Sequence, residues 1–203
     1  MKIPKKIRDN RISEISKIYE TALNNTEPYN EKIYRIIKNK EKTKIEKKQE
    51  IKEQILNSLE STIAYILKEI ENLYPNSYDK TAKIELEKLL YNKDGLTLDE
   101  RINQWFAKEN NEQILAYHMR LILITETEQI IPRVIQTKLT RNKIYIEILF
   151  GGGECLTGVC IDYADGEAYP ENEIELPPYH PNCGCEAIFY DIDDLVELLE
   201  DIV

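Results

Sequence analysis

Residues 151–185 read Gly-Gly-Gly-Glu-Cys-Leu-Thr-Gly-Val-Cys-Ile-Asp-Tyr-Ala-Asp-Gly-Glu-Ala-Tyr-Pro-Glu-Asn-Glu-Ile-Glu-Leu-Pro-Pro-Tyr-His-Pro-Asn-Cys-Gly-Cys. Six of the seven glycines and four of the eight prolines of this 203-residue chain fall here. So do all four cysteines (Cys155, Cys160, Cys183 and Cys185) and one of the two histidines, His180. A stretch so rich in turn formers and so poor in aliphatic side chains cannot build an ordinary core. Two groups of soft donors separated by a loop suit tetrahedral zinc, which takes thiolate and imidazole ligands from two short turns. The expected cofactor is therefore a structural Zn2+. Five donors compete for four places: Cys155, Cys160 and Cys183 are the firmest, and His180 and Cys185 contend for the fourth.

Other readings of the same residues are less well supported. Disulfides between Cys155 and Cys160 and between Cys183 and Cys185 require an oxidising compartment, and the second closes a strained ring. A catalytic cysteine with His180 as its base lacks an identifiable third group to orient the imidazole. A zinc deaminase needs His-x-Glu and Pro-Cys-x-x-Cys, whereas Pro181-Asn182 follow His180 and only Gly184 separates the last two cysteines. Gly151 to Gly153 are not followed by the Lys-Ser/Thr of a phosphate loop and read as a flexible turn.

On either side of this region, Lys143 to Phe150 alternates and is rich in β-branched and aromatic residues, predicting a strand. Glu186 to Tyr190 predicts a second, short strand. Asp193 to Ile202 closes the chain as an acidic amphipathic helix. Upstream the pattern is helical. From Ile33 to Leu73 there is no glycine or proline, and apolar residues recur at Ile51, Ile55, Leu59, Ile63, Ile66 and Ile70 in steps of three or four. Fully helical, this segment would span roughly 60 Å at 1.5 Å per residue. Its stripe needs a partner, for which its own N-terminal neighbour (Ile7, Ile12, Ile15, Ile18, Tyr19 and Leu23) in an antiparallel pair is preferred over an intermolecular coiled coil. Asn24 to Pro28 reads as the loop before it. Further helices are expected over Asp79 to Tyr91, from Thr97 to Phe106 behind a Thr97/Glu100 capping box, and from Glu112 to Thr137 with a kink or restart at Pro132. His118 reads as a packed or surface histidine. The expected class is α+β: mostly α-helical, with long N-terminal helices and a small β/zinc-knuckle module near the C-terminus.

Net charge is −10, but it is unevenly placed. Residues 1–74 carry 16 Lys+Arg and 12 Asp+Glu, residues 75–150 carry 11 of each, and residues 151–203 carry 14 Asp+Glu and no Lys or Arg. The acidic end repels phosphate backbones, so DNA contact would fall to the N-terminal helices, whose mixed Lys/Glu faces more commonly serve as solvated surface. The charge split also suggests head-to-tail contacts in a homo-oligomer. No run approaches the ~20 apolar residues of a membrane span, and no secretory leader is recognisable after the basic Met1-Lys2-Ile3-Pro4-Lys5-Lys6, so no membrane role is expected and a cytosolic origin is.

Several strings together resemble a known family. These are Ile124-Thr125-Glu126-Thr127-Glu128 on a helix, Cys155 and Cys160 after a strand, Asp165 to Pro170, and above all Pro177-Pro178-Tyr179-His180-Pro181-Asn182-Cys183-Gly184-Cys185. They resemble the C-terminal module of the minor head, or head morphogenesis, proteins of tailed bacteriophages, the Mu F-like group. The resemblance covers roughly residues 115–190. The chain has four residues between its first two cysteines where the family usually has two, and Gly184 where a basic residue is common. The resemblance implies a non-enzymatic virion component at the portal vertex, made in the host bacterial cytoplasm and acting in head assembly through portal or capsid subunits. It also suggests a division into a helical partner-docking region, 1–110, and a Mu F-like module, 111–203. The alternative of a different class is a cysteine-dependent peptidase or transferase using the Cys/His cluster.

Overall fold

The computed structural model describes residues 1–90, 96–139, 144–151, 164–178 and 183–192. Six helices precede a small sheet: α1 (Lys5–Asn24), α2 (Glu27–Lys38), α3 (Lys44–Leu73), α4 (Leu86–Leu89), α5 (Leu98–Lys108) and α6 (Glu112–Lys138). The strands are β1 (Ile144–Leu149), β2 (Ala168–Pro170) and β3 (Glu186–Asp191), in the order β2-β1-β3 with both pairings antiparallel. The chain is thus α+β, mostly helical, with both expected strands present.

The long helix is shorter than expected. The apolar pattern predicts an unbroken helix from Ile33, but the chain leaves it after Lys38 and restarts at Lys44. Thr43 Oγ1 accepts the Glu46 N–H at 3.3 Å while Glu46 Oε2 accepts the Thr43 N–H at 2.7 Å, a complete capping box. Asn39 Oδ1 accepts the Glu41 N–H at 2.9 Å, giving the backbone a partner outside the helix. Glycine and proline play no part in this break, so a reading based on those breakers runs straight through it.

The stripe Ile51, Ile55, Leu59, Ile63, Ile66 and Ile70 is buried within the chain as expected, but chiefly against α6 and α2, with the N-terminal helix α1 a lesser partner. The Thr97/Glu100 capping box stands as expected, but the loop expected over Asn24 to Pro28 shrinks to Asn25 and Thr26, because Glu27 and Pro28 open α2, where proline costs no helical hydrogen bond. The helix expected over Asp79 to Tyr91 contracts to the single turn of α4. Asp79 Oδ1 instead accepts the N–H groups of Thr81 and Ala82 at 2.7 and 3.2 Å, a turn that competes with helix formation. Helix α6 does not restart at Pro132. The proline is buried inside a continuous helix, and packing on both sides carries the helix past the missing donor.

One hydrophobic core joins helices and sheet. Helix α3 packs on α6, and α1 packs on β3. The Tyr74 hydroxyl, at the end of α3, donates to the Phe189 carbonyl of β3 at 2.7 Å. No described helix is long and apolar enough to cross a membrane. The acidic segment 193–202 lies outside the described residues.

Candidate metal centre

Strand β3 starts immediately after Cys185, and its register on β1 sets Leu149 opposite Glu186. Continuing that register brings Gly151 against Gly184. A Cβ on Gly151 would overlap the Gly184 carbonyl, so glycine is required here by the close approach of two backbones. The end of β1 therefore clamps the Cys183-Gly184-Cys185 turn, and the first of the three glycines has a fixed packing role in place of the free flexibility expected of it. Cys183 and Cys185 are 1% and 3% exposed. Cys155, Cys160 and His180 lie outside the described residues.

Helix α1 packs against the strand that follows the turn. From α1, the Tyr19 hydroxyl accepts the Ala187 N–H at 3.2 Å and Ser16 Oγ donates to Glu186 Oε2. From α6 comes Glu128, whose Oε2 is buried and receives no hydrogen bond from the described residues. Burial, reinforced by the negative charge of Cys183, pushes the Glu128 carboxyl up to about 8. Burial also raises the Tyr19 hydroxyl well above its ordinary value, opposed by the Ala187 hydrogen bond and assisted by the charges of Glu186, Glu128 and Cys183. Glu186 is raised by burial, against which its bond from Ser16 acts. Tyr19 and Glu186 are thus joined to each other's neighbourhood by burial at the packing of α1 on β3.

Among the described residues no three His, Cys, Asp or Glu side chains gather closely enough to hold a metal. Three of the five expected donors are not among those residues. What is described fits zinc in kind, since Cys183 and Cys185 are two buried thiols on one short turn.

Sequence reasoning passed over Glu128, which entered only as the last residue of a resembling string. A signal was present nonetheless, because Thr125 to Gln129 are five consecutive polar residues within a largely aliphatic helix. The structure buries Thr125, Glu126, Thr127 and Gln129 almost completely. Glu126 takes an ion pair from Arg101 of α5, whereas the charge of Cys183 acts on Glu128. His118, far from the cysteines in sequence, stacks on Trp105 with ring centroids 3.3 Å apart.

Comparison of the chain with protein-family models, with curated proteins and with solved structures finds no match.

Proposed function

We propose that the chain is a structural protein of a tailed-phage head, a minor head or head morphogenesis component, whose cysteine-rich module is held by one zinc ion. The observation that carries this reading is the burial of Cys183 and Cys185 at the start of β3, the strand that packs on α1. Thiols fixed in a core seam are placed to hold structure, and the turn that bears them is the specific part of the Pro-Pro-x-His-Pro-Asn-Cys-x-Cys string. A thiol enzyme needs a thiolate that substrate can reach. Their burial argues against either Cys183 or Cys185 as a nucleophile.

The opposite end of the bundle supplies a docking surface. Helix α3 is 30 residues long, so its start lies roughly 45 Å from the sheet end at 1.5 Å per residue. There Lys44 Nζ reaches Asn110 Oδ1 at 3.4 Å, joining the first turn of α3 to the link between α5 and α6. Ile45, Ile114 and Tyr117, which are 77%, 43% and 57% exposed, belong to this end. A cleft of about 330 Å³ between α3 and α5 is lined by Ile45 together with Ile102, Lys48, Lys52 and Asp99. Exposed apolar side chains beside such a cleft suit a portal or capsid subunit.

Mass analysis of assembled particles tests the proposal. The chain should be present at a low copy number, and the purified protein should contain about one zinc per chain and lose its C-terminal structure with a chelator, since binding energy at such a site is folding energy. Particles that lack the chain would overturn the assignment.

A further inference from the structure

We propose that the outer edge of β2 is a docking site for an extended, lysine-rich segment of a partner protein, and that residues 1–3 are a strap closing that edge until such a segment displaces them. The edge lies on the side of β1 away from β3, and the site needs no metal.

The outer strands of a sheet each present a row of backbone donors and acceptors ready to pair with another chain. The β3 edge is sealed from the core. There the Ala187 N–H donates to the Tyr19 hydroxyl at 3.2 Å, and the Phe189 carbonyl accepts the Tyr74 hydroxyl at 2.7 Å. Tyr19 and Tyr74 are 3% and 0% exposed. The β2 edge is closed differently. The Ala168 N–H donates to the Met1 carbonyl at 2.9 Å and the Met1 nitrogen donates to the Ala168 carbonyl at 2.7 Å, the two-bond exchange of antiparallel strands. An added peptide strand makes the same main-chain bonds with a sheet edge. This cover is slight: Met1 and Lys2 are exposed, Ile3 is only partly buried, and α1 starts only at Lys5. Charge names the occupant. Asp165, Glu167, Glu171, Glu173 and Glu175 flank the strand with no Lys or Arg among them, and the strap belongs to Met1-Lys2-Ile3-Pro4-Lys5-Lys6. Its Met1 nitrogen already lies 3.4 Å from Glu167 Oε2. Pro170, two residues after Ala168, turns the same side outward and has no N–H to offer, so the edge takes one short segment and does not propagate a sheet.

The test uses the full-length chain, with amide exchange and peptide titration followed by NMR. The probe is a free hexapeptide with the sequence of residues 1–6, and its control carries Glu in place of every Lys. Ile3→Asp loosens the strap, so the Ala168 amide should lose protection while the Ala187 amide keeps it. The lysine hexapeptide should then restore protection at Ala168 and bind this variant about tenfold more tightly than wild type, because the strap no longer competes for the edge. The Glu control should not bind, and added salt should weaken the lysine peptide. Should Ile3→Asp disturb the sheet, Lys2→Glu changes only an exposed charge of the strap and should act in the same direction. A protected Ala168 in both variants, or equal binding of the two peptides, would make residues 1–3 a fixed part of the sheet and overturn the proposal. A loosened variant that dimerises through this edge, and that the hexapeptide does not dissociate, would give the edge to a second copy and overturn it as well.

Discussion

Arg8 Nε donates to both carboxylate oxygens of Glu147, at 2.8 and 3.0 Å, and its NH2 group donates to Oε1 as well. The pair joins the first helix to the central strand across 139 residues of sequence. The Glu147 side chain is 1% exposed and also receives the Tyr190 hydroxyl at 2.8 Å, whereas Arg8 is one-third exposed. Arg8→Ala would leave a buried carboxylate with a hydroxyl but without its cation. Breaking a buried pair by removing one partner is strongly destabilising, and discounted for the exposure of Arg8 the loss should be roughly 2–3 kcal/mol. The double change Arg8→Met with Glu147→Leu should recover most of it, because neither charge then remains. Urea unfolding of the two variants and the wild type checks this.

Gly151 and Gly184 face each other but are not equivalent. A Cβ on Gly151 would strike the Gly184 backbone, while a Cβ on Gly184 would find its nearest neighbour, the Gly151 Cα, at 3.6 Å, an ordinary contact. Gly151→Ala should therefore push the Cys183–Cys185 turn off the end of β1, lowering the thermal midpoint and the zinc content together. Gly184→Ala should leave both close to wild type. Melting curves and metal analysis of the two variants separate these outcomes.

The parts of this fold that were legible in the sequence are those written in local patterns. Ile51 to Ile70 announce a buried helical stripe, Lys143 to Phe150 a strand, and Thr97 with Glu100 a helix start. The breaks between helices were read less well, because Asn39, Thr43 and Asp79 interrupt helices through side-chain hydrogen bonds to the backbone without the glycine or proline that usually marks an interruption. Of the candidate site, spacing drew attention to the cysteines, of which Cys183 and Cys185 are described and buried, but the pairing of Arg8 with Glu147 joins residues far apart in sequence and leaves no periodic trace.

The capping boxes make an acid-side prediction. Glu46 and Glu100 each accept the backbone N–H of their N-cap threonine at 2.7 Å. That backbone bond, followed by the bond from the threonine hydroxyl, holds both carboxyls below the ordinary value of 4.5. A carboxyl lowered by folding contributes stability that is present above its unfolded value and lost as pH falls through its folded one. The loss attributable to these caps should therefore begin below about pH 4.5 and grow toward pH 3, by a modest amount because both side chains are exposed. Glu46→Gln with Glu100→Gln should flatten this limb of the melting temperature against pH while leaving its neutral plateau little changed, as followed by circular dichroism.

The end of the bundle remote from the sheet should separate stability from assembly. Ile45 and Tyr117 are 77% and 57% exposed, so replacing them removes little buried surface from the monomer. Substitutions of that kind usually stay within about 0.5 kcal/mol. Ile45→Asp with Tyr117→Ser should accordingly leave the thermal midpoint nearly unchanged. If these side chains anchor a portal or capsid subunit, however, the same double variant should be depleted from assembled particles, since an interface depends disproportionately on a few apolar anchors. Ile55→Asp provides the contrast: that side chain is fully buried and its replacement should unfold the bundle, so a loss of incorporation there would report only a loss of fold. Quantitative mass analysis of particles made with each variant, set beside melting curves of the purified proteins, distinguishes the cases. Normal incorporation of the folded Ile45/Tyr117 variant would place the partner surface on another face of the helices.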